Sequence, residues 1–145
     1  MSDTRHSDDN SEQVYAYEET TCDITIKVSP YFLENHSYVE DSHYVWAYQV
    51  LIENNSDRTW QLRNRHWQIT DGVGKKTEVR GRGVIGEQPV LAPGASFSYT
   101  SGTPLETPSG IMVGSYEMVD QQGEIMHVAI PPFSLDSPYW DNRPN

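Results

Sequence analysis

The sequence predicts an all-β fold: an antiparallel β-sandwich of immunoglobulin or fibronectin type III-like arrangement, with about seven strands. Three observations lead there. Apolar and polar residues alternate with a period of two in segment after segment. Turn residues interrupt the chain at spacings of roughly ten residues, the usual rhythm of a sandwich. No stretch sustains the helical period of about 3.6. The 145 residues suit a single domain with a single core. Patterning leaves an antiparallel barrel open as the alternative.

Residues 1–20 read as a disordered acidic tail. They hold Asp3, Asp8, Asp9, Glu12, Glu18 and Glu19 against one base, Arg5, and too few apolar side chains to offset the entropy of ordering. In the first predicted strand, Ile24, Ile26 and Val28 alternate with Thr25 and Lys27, and Pro30 ends it. Tyr44, Trp46, Tyr48, Val50 and Ile52 form the strongest alternation in the chain, closed by the turn residues Asn54-Asn55-Ser56-Asp57. The next strand, about 60–70, changes phase: Trp60 and Leu62 occupy even positions, Trp67 and Ile69 odd ones. If both pairs face the core, one extra residue must intervene, which predicts a β-bulge near 64–66.

Asp71-Gly72-Val73-Gly74 turns the chain into a short strand over 76–80. After Ala92-Pro93-Gly94 comes a strand over 96–100, with Phe97 and Tyr99 on one face. Residues 110–119 place Met112, Tyr116 and Met118 on one face. A turn at Asp120-Gln121-Gln122-Gly123 precedes the strand of 125–130, which Pro131 and Pro132 are expected to stop, with Phe133 and Leu135 in a short edge segment. The domain is read as 21–138. Residues 139–145 form a C-terminal tail whose Trp140 either docks or stays exposed as a contact.

Composition narrows the function. With 21 acids and 10 bases the formal charge is −11, so a nucleic-acid partner, which needs a basic footprint, is not expected. No apolar run approaches the length of a membrane-spanning helix, and no secretory signal opens the chain. The single cysteine, Cys22, precludes an intrachain disulfide and CxxC metal pairs. A cytoplasmic location is expected.

Gly81-Arg82-Gly83-Val84-Ile85-Gly86 spells GxGxxG. In a dinucleotide fold this string opens a helix whose N-terminus holds a pyrophosphate. Here Pro89 and the Ala92-Pro93-Gly94 turn follow within a few residues, and no helix survives them. The string reads instead as a loop with glycines at positive φ or at close contacts, or as a backbone nest for an anion.

Charge supports a contact surface nearby. Positions 58–82 hold Arg58, Arg63, Arg65, Lys75, Lys76, Arg80 and Arg82 against Asp71 and Glu78, a local excess of five cations on an acidic protein. If the hairpin register brings the faces of Arg63/Arg65 and Arg80/Arg82 together, like charges oppose and call for a phosphate, an acidic partner or the acidic tail. Arg63, Arg65, Arg80, Gly81, Arg82, Gly83 and Gly86 are therefore the candidate partner- or anion-binding residues. None of the five histidines belongs to a catalytic pattern, so no enzyme activity, catalytic residue or cofactor is expected. Glu40-Asp41-Ser42-His43 reads as a polar loop, not a metal site.

The segment from Val79 to Gly94 resembles the ApaG family, as do Arg65-His66-Trp67, Tyr99 to Gly102, Leu105 to Pro108, Gly110 to Met112, Gly114 to Met118 and Ile130 to Leu135. Together these cover about 21–138. The resemblance implies a sandwich of fibronectin III or immunoglobulin type in a bacterial cytoplasmic protein linked to cobalt resistance and magnesium efflux. Similar domains are appended to eukaryotic F-box and DNA-polymerase-interacting proteins, which implies protein–protein recognition. The expected function is thus a non-enzymatic binding module with a protein partner and an indirect link to divalent cations. The alternative is a phosphate or nucleotide binder using the glycine-rich loop and basic hairpin.

Overall fold

A computed structural model describes residues 14–139. Most of the expected acidic tail, and Trp140, lie outside the described residues. Among the described residues nine strands run in chain order: β1 Tyr17–Thr21, β2 Ile24–Phe32, β3 Tyr44–Asn54, β4 Trp60–Asp71, β5 Lys76–Arg82, β6 Val90–Leu91, β7 Ser96–Leu105, β8 Ser109–Asp120 and β9 Ile125–Asp136. They form two antiparallel sheets. One has the order β1-β2-β3-β7; the other has β5-β4-β8-β9, with β6 also paired to β4. Two separate sheets make this a sandwich and set the barrel aside.

The seven expected strands are all present, and β1 and β6 are additional. β1 carries Glu18 and Glu19, so its charge masked it in the sequence; it forms because Thr21-Cys22-Asp23-Ile24 turns tightly, with Cys22 and Asp23 at positive φ, and pairs it with β2. The sandwich therefore begins at Tyr17 and not at 21. Pro131 and Pro132 do not end the last strand. β9 continues through them, and the β8–β9 register shifts between Met112 and Gly114 to accommodate the missing donors. Tyr139 also joins the domain, its ring against Phe32 and Tyr44 and its hydroxyl donating to Glu34 at 2.5 Å.

The core is the layer between the sheets, where the alternating positions meet: Ile24, Ile26, Val50 and Ile52 from one side, Leu62, Met118, Val128 and Ile130 from the other. Trp46 is buried and donates its indole N–H to the Asp136 carbonyl at 2.8 Å. Phe133 joins both sheets, with ring contacts to Tyr17, Tyr48 and Trp67. On this side the sandwich is shut. β9 packs against β1 and β2, and its outward N–H groups at Ala129 and Ser134 donate to Thr21 Oγ1 and the Tyr17 hydroxyl, each at 3.3 Å.

Asp120 fixes the β8–β9 hairpin. Its Oδ1 accepts the N–H groups of Gln122 and Glu124 at 2.9 and 2.8 Å, and its Oδ2 meets Arg58 Nη1 at 2.9 Å. Desolvation pushes this carboxyl up, but the two N–H donors and the guanidinium outweigh it and hold it below its ordinary value. The folded protein therefore takes up this proton at lower pH than the unfolded chain. The resulting stability is whole above the unfolded value of about 3.9 and is lost as pH falls through the folded one. Asp120→Asn is expected to lower the melting temperature at neutral pH and to flatten its decline below about pH 4. Calorimetry across that range checks this; an unchanged acid slope would assign the slope to other carboxylates.

Candidate functional site

The bulge near the middle of β4 falls at Arg63, where the pairing to β8 skips from Leu62 to Asn64, just ahead of the expected 64–66. One extra residue keeps Leu62 and Trp67 both facing the core. It also turns the Arg63 carbonyl out of the ladder and toward the glycine-rich loop. There it accepts the Gly83 N–H at 2.8 Å and the Gln88 side-chain amide at 2.9 Å. The bulge thus supplies the anchor for the loop.

Past the bulge, Arg65 lies in the same inward-facing row as Trp67 and Ile69. The register places it opposite Gly81, not opposite a cation. Gly81 has no side chain because the Arg65 guanidinium occupies that space: a Cβ there would sit 2.8 Å from its Cζ. From that position Arg65 Nη1 donates to the carbonyls of Arg82 and Gly83, at 3.0 and 2.8 Å. Val84 and Glu87 exchange two backbone hydrogen bonds, each 2.8 Å, around a two-residue turn in which Ile85 and Gly86 both have positive φ, 43° and 80°. This is the geometry of a type I′ hairpin. Val84 is buried in the core while Ile85 stands out from the tip.

Of the glycine string, Gly81 and Arg82 end β5 and only 83–86 is a loop, with Gly83 and Gly86 at positive φ and Gly81 at a close contact; among the described residues no α-helix follows it. The N–H groups of Gly83, Val84 and Glu87 are all spent on carbonyls, so these three do not converge on an anion as a nest would require.

Beneath the hairpin lies a cleft of about 300 Å³ between the sheets. Its walls include Tyr48, Tyr99 and Ser101 from one sheet and Arg65 and Arg82 from the other. Tyr99 of this wall shares a hydroxyl–hydroxyl hydrogen bond of 2.5 Å with the buried Tyr116. Burial pushes the Tyr48, Tyr99 and Tyr116 hydroxyls up, and the nearby positive charge of Arg65 opposes this in all three.

Arg80, paired with His66, lies on the opposite, outer face of the sheet, and Arg82, paired with Asn64 at the end of β5, borders both that face and the cleft. Glu78 lies between His66 and Arg80 there, 2.8 Å from His66 Nε2 and 3.4 Å from Arg80. The hydrogen bond from His66, then the charge of Arg80, holds its carboxyl below the ordinary range. Asn64 in turn hydrogen-bonds Glu117. An open hollow of about 460 Å³ runs over this face, with His127 on its far side. Arg58 leaves the basic group altogether, bound to Asp120 and Glu124.

The sequence-derived residues therefore separate. Arg65, Gly81, Gly83 and Gly86 build the hairpin and its cleft; Arg80 lines the outer face; Arg82 borders both; Arg63 projects from the bulge. Sequence reasoning missed Tyr48, Tyr99, Ser101 and Gln88 as neighbours of this site. Alternation placed the two tyrosines on inner faces but held no signal for which end of the layer they would reach. Among the described residues, no group of three or more His, Cys, Asp or Glu is placed to hold a metal, and no helix is long and apolar enough to cross a membrane.

With this geometry in view, the ApaG domain family model matches residues 34–120. The protein ApaG of Paramagnetospirillum magneticum is 57% identical over 129 residues, covering 89% of this chain and 99% of that one. That of Rhodospirillum centenum is 58% identical over the same span and coverage. A crystal structure presented as an ApaA protein of Bordetella pertussis aligns with a TM-score of 0.78 at 43% identity, covering 88% of this chain and all of the other.

Proposed function

The chain belongs to the ApaG domain family, and from that premise we propose that it is a non-enzymatic module for protein–protein recognition, acting in the cytoplasm. The contact surface is the 83–86 hairpin together with the basic face of Arg63, Arg80 and Arg82. In this reading the connection with cobalt and magnesium implied by the family runs through the partner.

The observation that carries the reading is Ile85. A β-branched residue in the left-handed region costs roughly 1–2 kcal/mol. Asn or Gly would fit a type I′ turn far better. The fold recovers little in return, because Ile85 is 56% exposed. Strain of this kind at an exposed position fits a role outside the fold. Arg82 lines the same cleft as Ile85, and Arg63 holds the base of the loop through its carbonyl, both without a carboxylate partner among the described residues, on a chain of net charge −11.

Ile85→Asn is therefore expected to raise stability by about 1 kcal/mol, a few degrees in melting temperature, while weakening capture of the partner. Arg80→Glu combined with Arg82→Glu is expected to abolish capture with the melting temperature nearly unchanged. Affinity capture from native cytoplasm, followed by reconstitution with the purified partner, measures both. Full capture by both variants would place the surface elsewhere. A second reading, phosphate or nucleotide binding, draws on the Arg80, Arg82 and His66 hollow. Polyphosphate that raised the melting temperature of the unmodified protein but not of the double variant would shift the conclusion to it.

A further inference from the structure

The two sheets leave four edges, and they differ. β1 and β9 close on each other through Thr21 and Tyr17, as described above. β5 alternates Lys76, Glu78, Arg80 and Arg82 along its length, and charge of this density guards an edge against strand pairing. β7 is ten residues long, reads SFSYTSGTPL, carries no charged side chain and, among the described residues, pairs with β3 alone.

The polarity of that edge follows from the ladder. The Val45 carbonyl accepts from Leu33, on the β2 side of β3, so odd residues of β3 bond toward β2. The Asn54 N–H donates to Ala95, on the β7 side, so even residues bond toward β7. Val45 pairs with Pro104, and a proline without an N–H suits a position that bonds nothing in β3. By the same period of two, Ser98, Thr100 and Gly102 turn their N–H and C=O groups away from β3, to the free edge. The residues between them, Tyr99 and Ser101, point inward to the cleft that holds Arg65. A strand laid along β7 would place every second side chain into that cleft. Among the described residues the cleft is lined by two cations, Arg65 and Arg82, and by no carboxylate.

We propose that the free edge of β7 accepts an extended acidic segment of a partner protein as an added strand, with one carboxylate of that segment entering the cleft to meet Arg65. Main-chain pairing supplies affinity and the cleft supplies specificity, as in other cases of strand addition. This rests on the recognition reading and extends its surface from the hairpin to the neighbouring edge. A second copy of the chain is a poorer occupant, because β7 contains no acid to offer Arg65.

The test is NMR on the full chain with a short blocked peptide of alternating threonine and valine, glutamate replacing the central valine. Saturable shifts are expected at the Ser98, Thr100 and Gly102 amides and at the Arg65 Nε–H, with affinity falling about tenfold when lysine replaces the glutamate. Thr100→Pro, which removes an outward donor and leaves the β3 ladder whole, is expected to abolish binding without lowering the melting temperature. Equal binding by Thr100→Pro, or indifference to the central charge, would overturn the proposal. So would edge amides already protected from hydrogen exchange without peptide: protection that grows with protein concentration means a second copy, and protection independent of it means the chain's own segment. If the native partner is lost by Arg80→Glu with Arg82→Glu but kept by Thr100→Pro, recognition stands and strand addition falls.

Discussion

Gly83→Ala is expected to destabilise the protein by about 3–5 kcal/mol, a large effect for adding one methyl group. Two costs combine. Gly83 has φ +62°, where an L-residue loses roughly 1–2 kcal/mol. Its new Cβ would also lie 2.1 Å from the Glu87 carbonyl oxygen, a backbone atom held by the reciprocal Val84–Glu87 bonds. The hairpin must open to make room, and it then withdraws Val84 from the core, worth about 1.5–3 kcal/mol by burial alone. Gly86→Ala is the matched control. Its φ is +80°, yet nothing lies within 4 Å of the added atom, so it is expected to cost about 1–2 kcal/mol. Urea unfolding of the two variants measures the difference. Equal losses would mean that the turn, not the clash, sets the cost.

Arg65→Ala is expected to cost about 2–3 kcal/mol, because it strips the Arg82 and Gly83 carbonyls of a charged donor. Its more telling signature is coupling to Gly81. Gly81→Ala alone drives a Cβ into the Arg65 guanidinium and is expected to displace it, freeing the same two carbonyls. In an Arg65→Ala background that space is vacant, and the same substitution should cost little. A double-mutant cycle should therefore return about 1–2 kcal/mol of interaction between the two positions. Additive losses would show that Arg65 does not set the identity of residue 81. Spectrophotometric titration gives a second readout. Arg65 favours the tyrosinate forms across the cleft, so its loss should move the Tyr48 titration to still higher pH.

Both predictions concern residues that the sequence singled out for another reason. By strand alternation Arg65 shares a face with Arg63, and Arg80 with Arg82, so the sequence predicts two basic faces set against each other. The register separates them: Arg65 faces Gly81 and points inward, Arg80 faces His66 on the outer side, and Arg82, opposite Asn64, reaches the rim shared by both. The phase slip between Leu62 and Trp67 revealed that a bulge was needed. It did not reveal that the extra residue would be Arg63, whose freed carbonyl anchors the loop. The prolines after Gly86 did exclude the dinucleotide helix, since their ring geometry acts locally and needs no tertiary partner.

What the sequence determined by itself is what local chemistry controls. Alternation set the strands and their inner faces, with β1 hidden by its acids and β9 cut short on paper by its prolines. The turn residues marked the sheet corners, and the glycines marked a loop. Only the tertiary structure decided which faces meet. It brought Tyr48 and Tyr99 over Arg65 from the opposite sheet, shut the β1–β9 side, and left β7 open beside the cleft. The physical reason is that strand alternation has a period of two, so a slip of one residue reverses every side chain along a strand. That register, like the stacking of one sheet on the other, is settled by contacts between residues far apart in the chain.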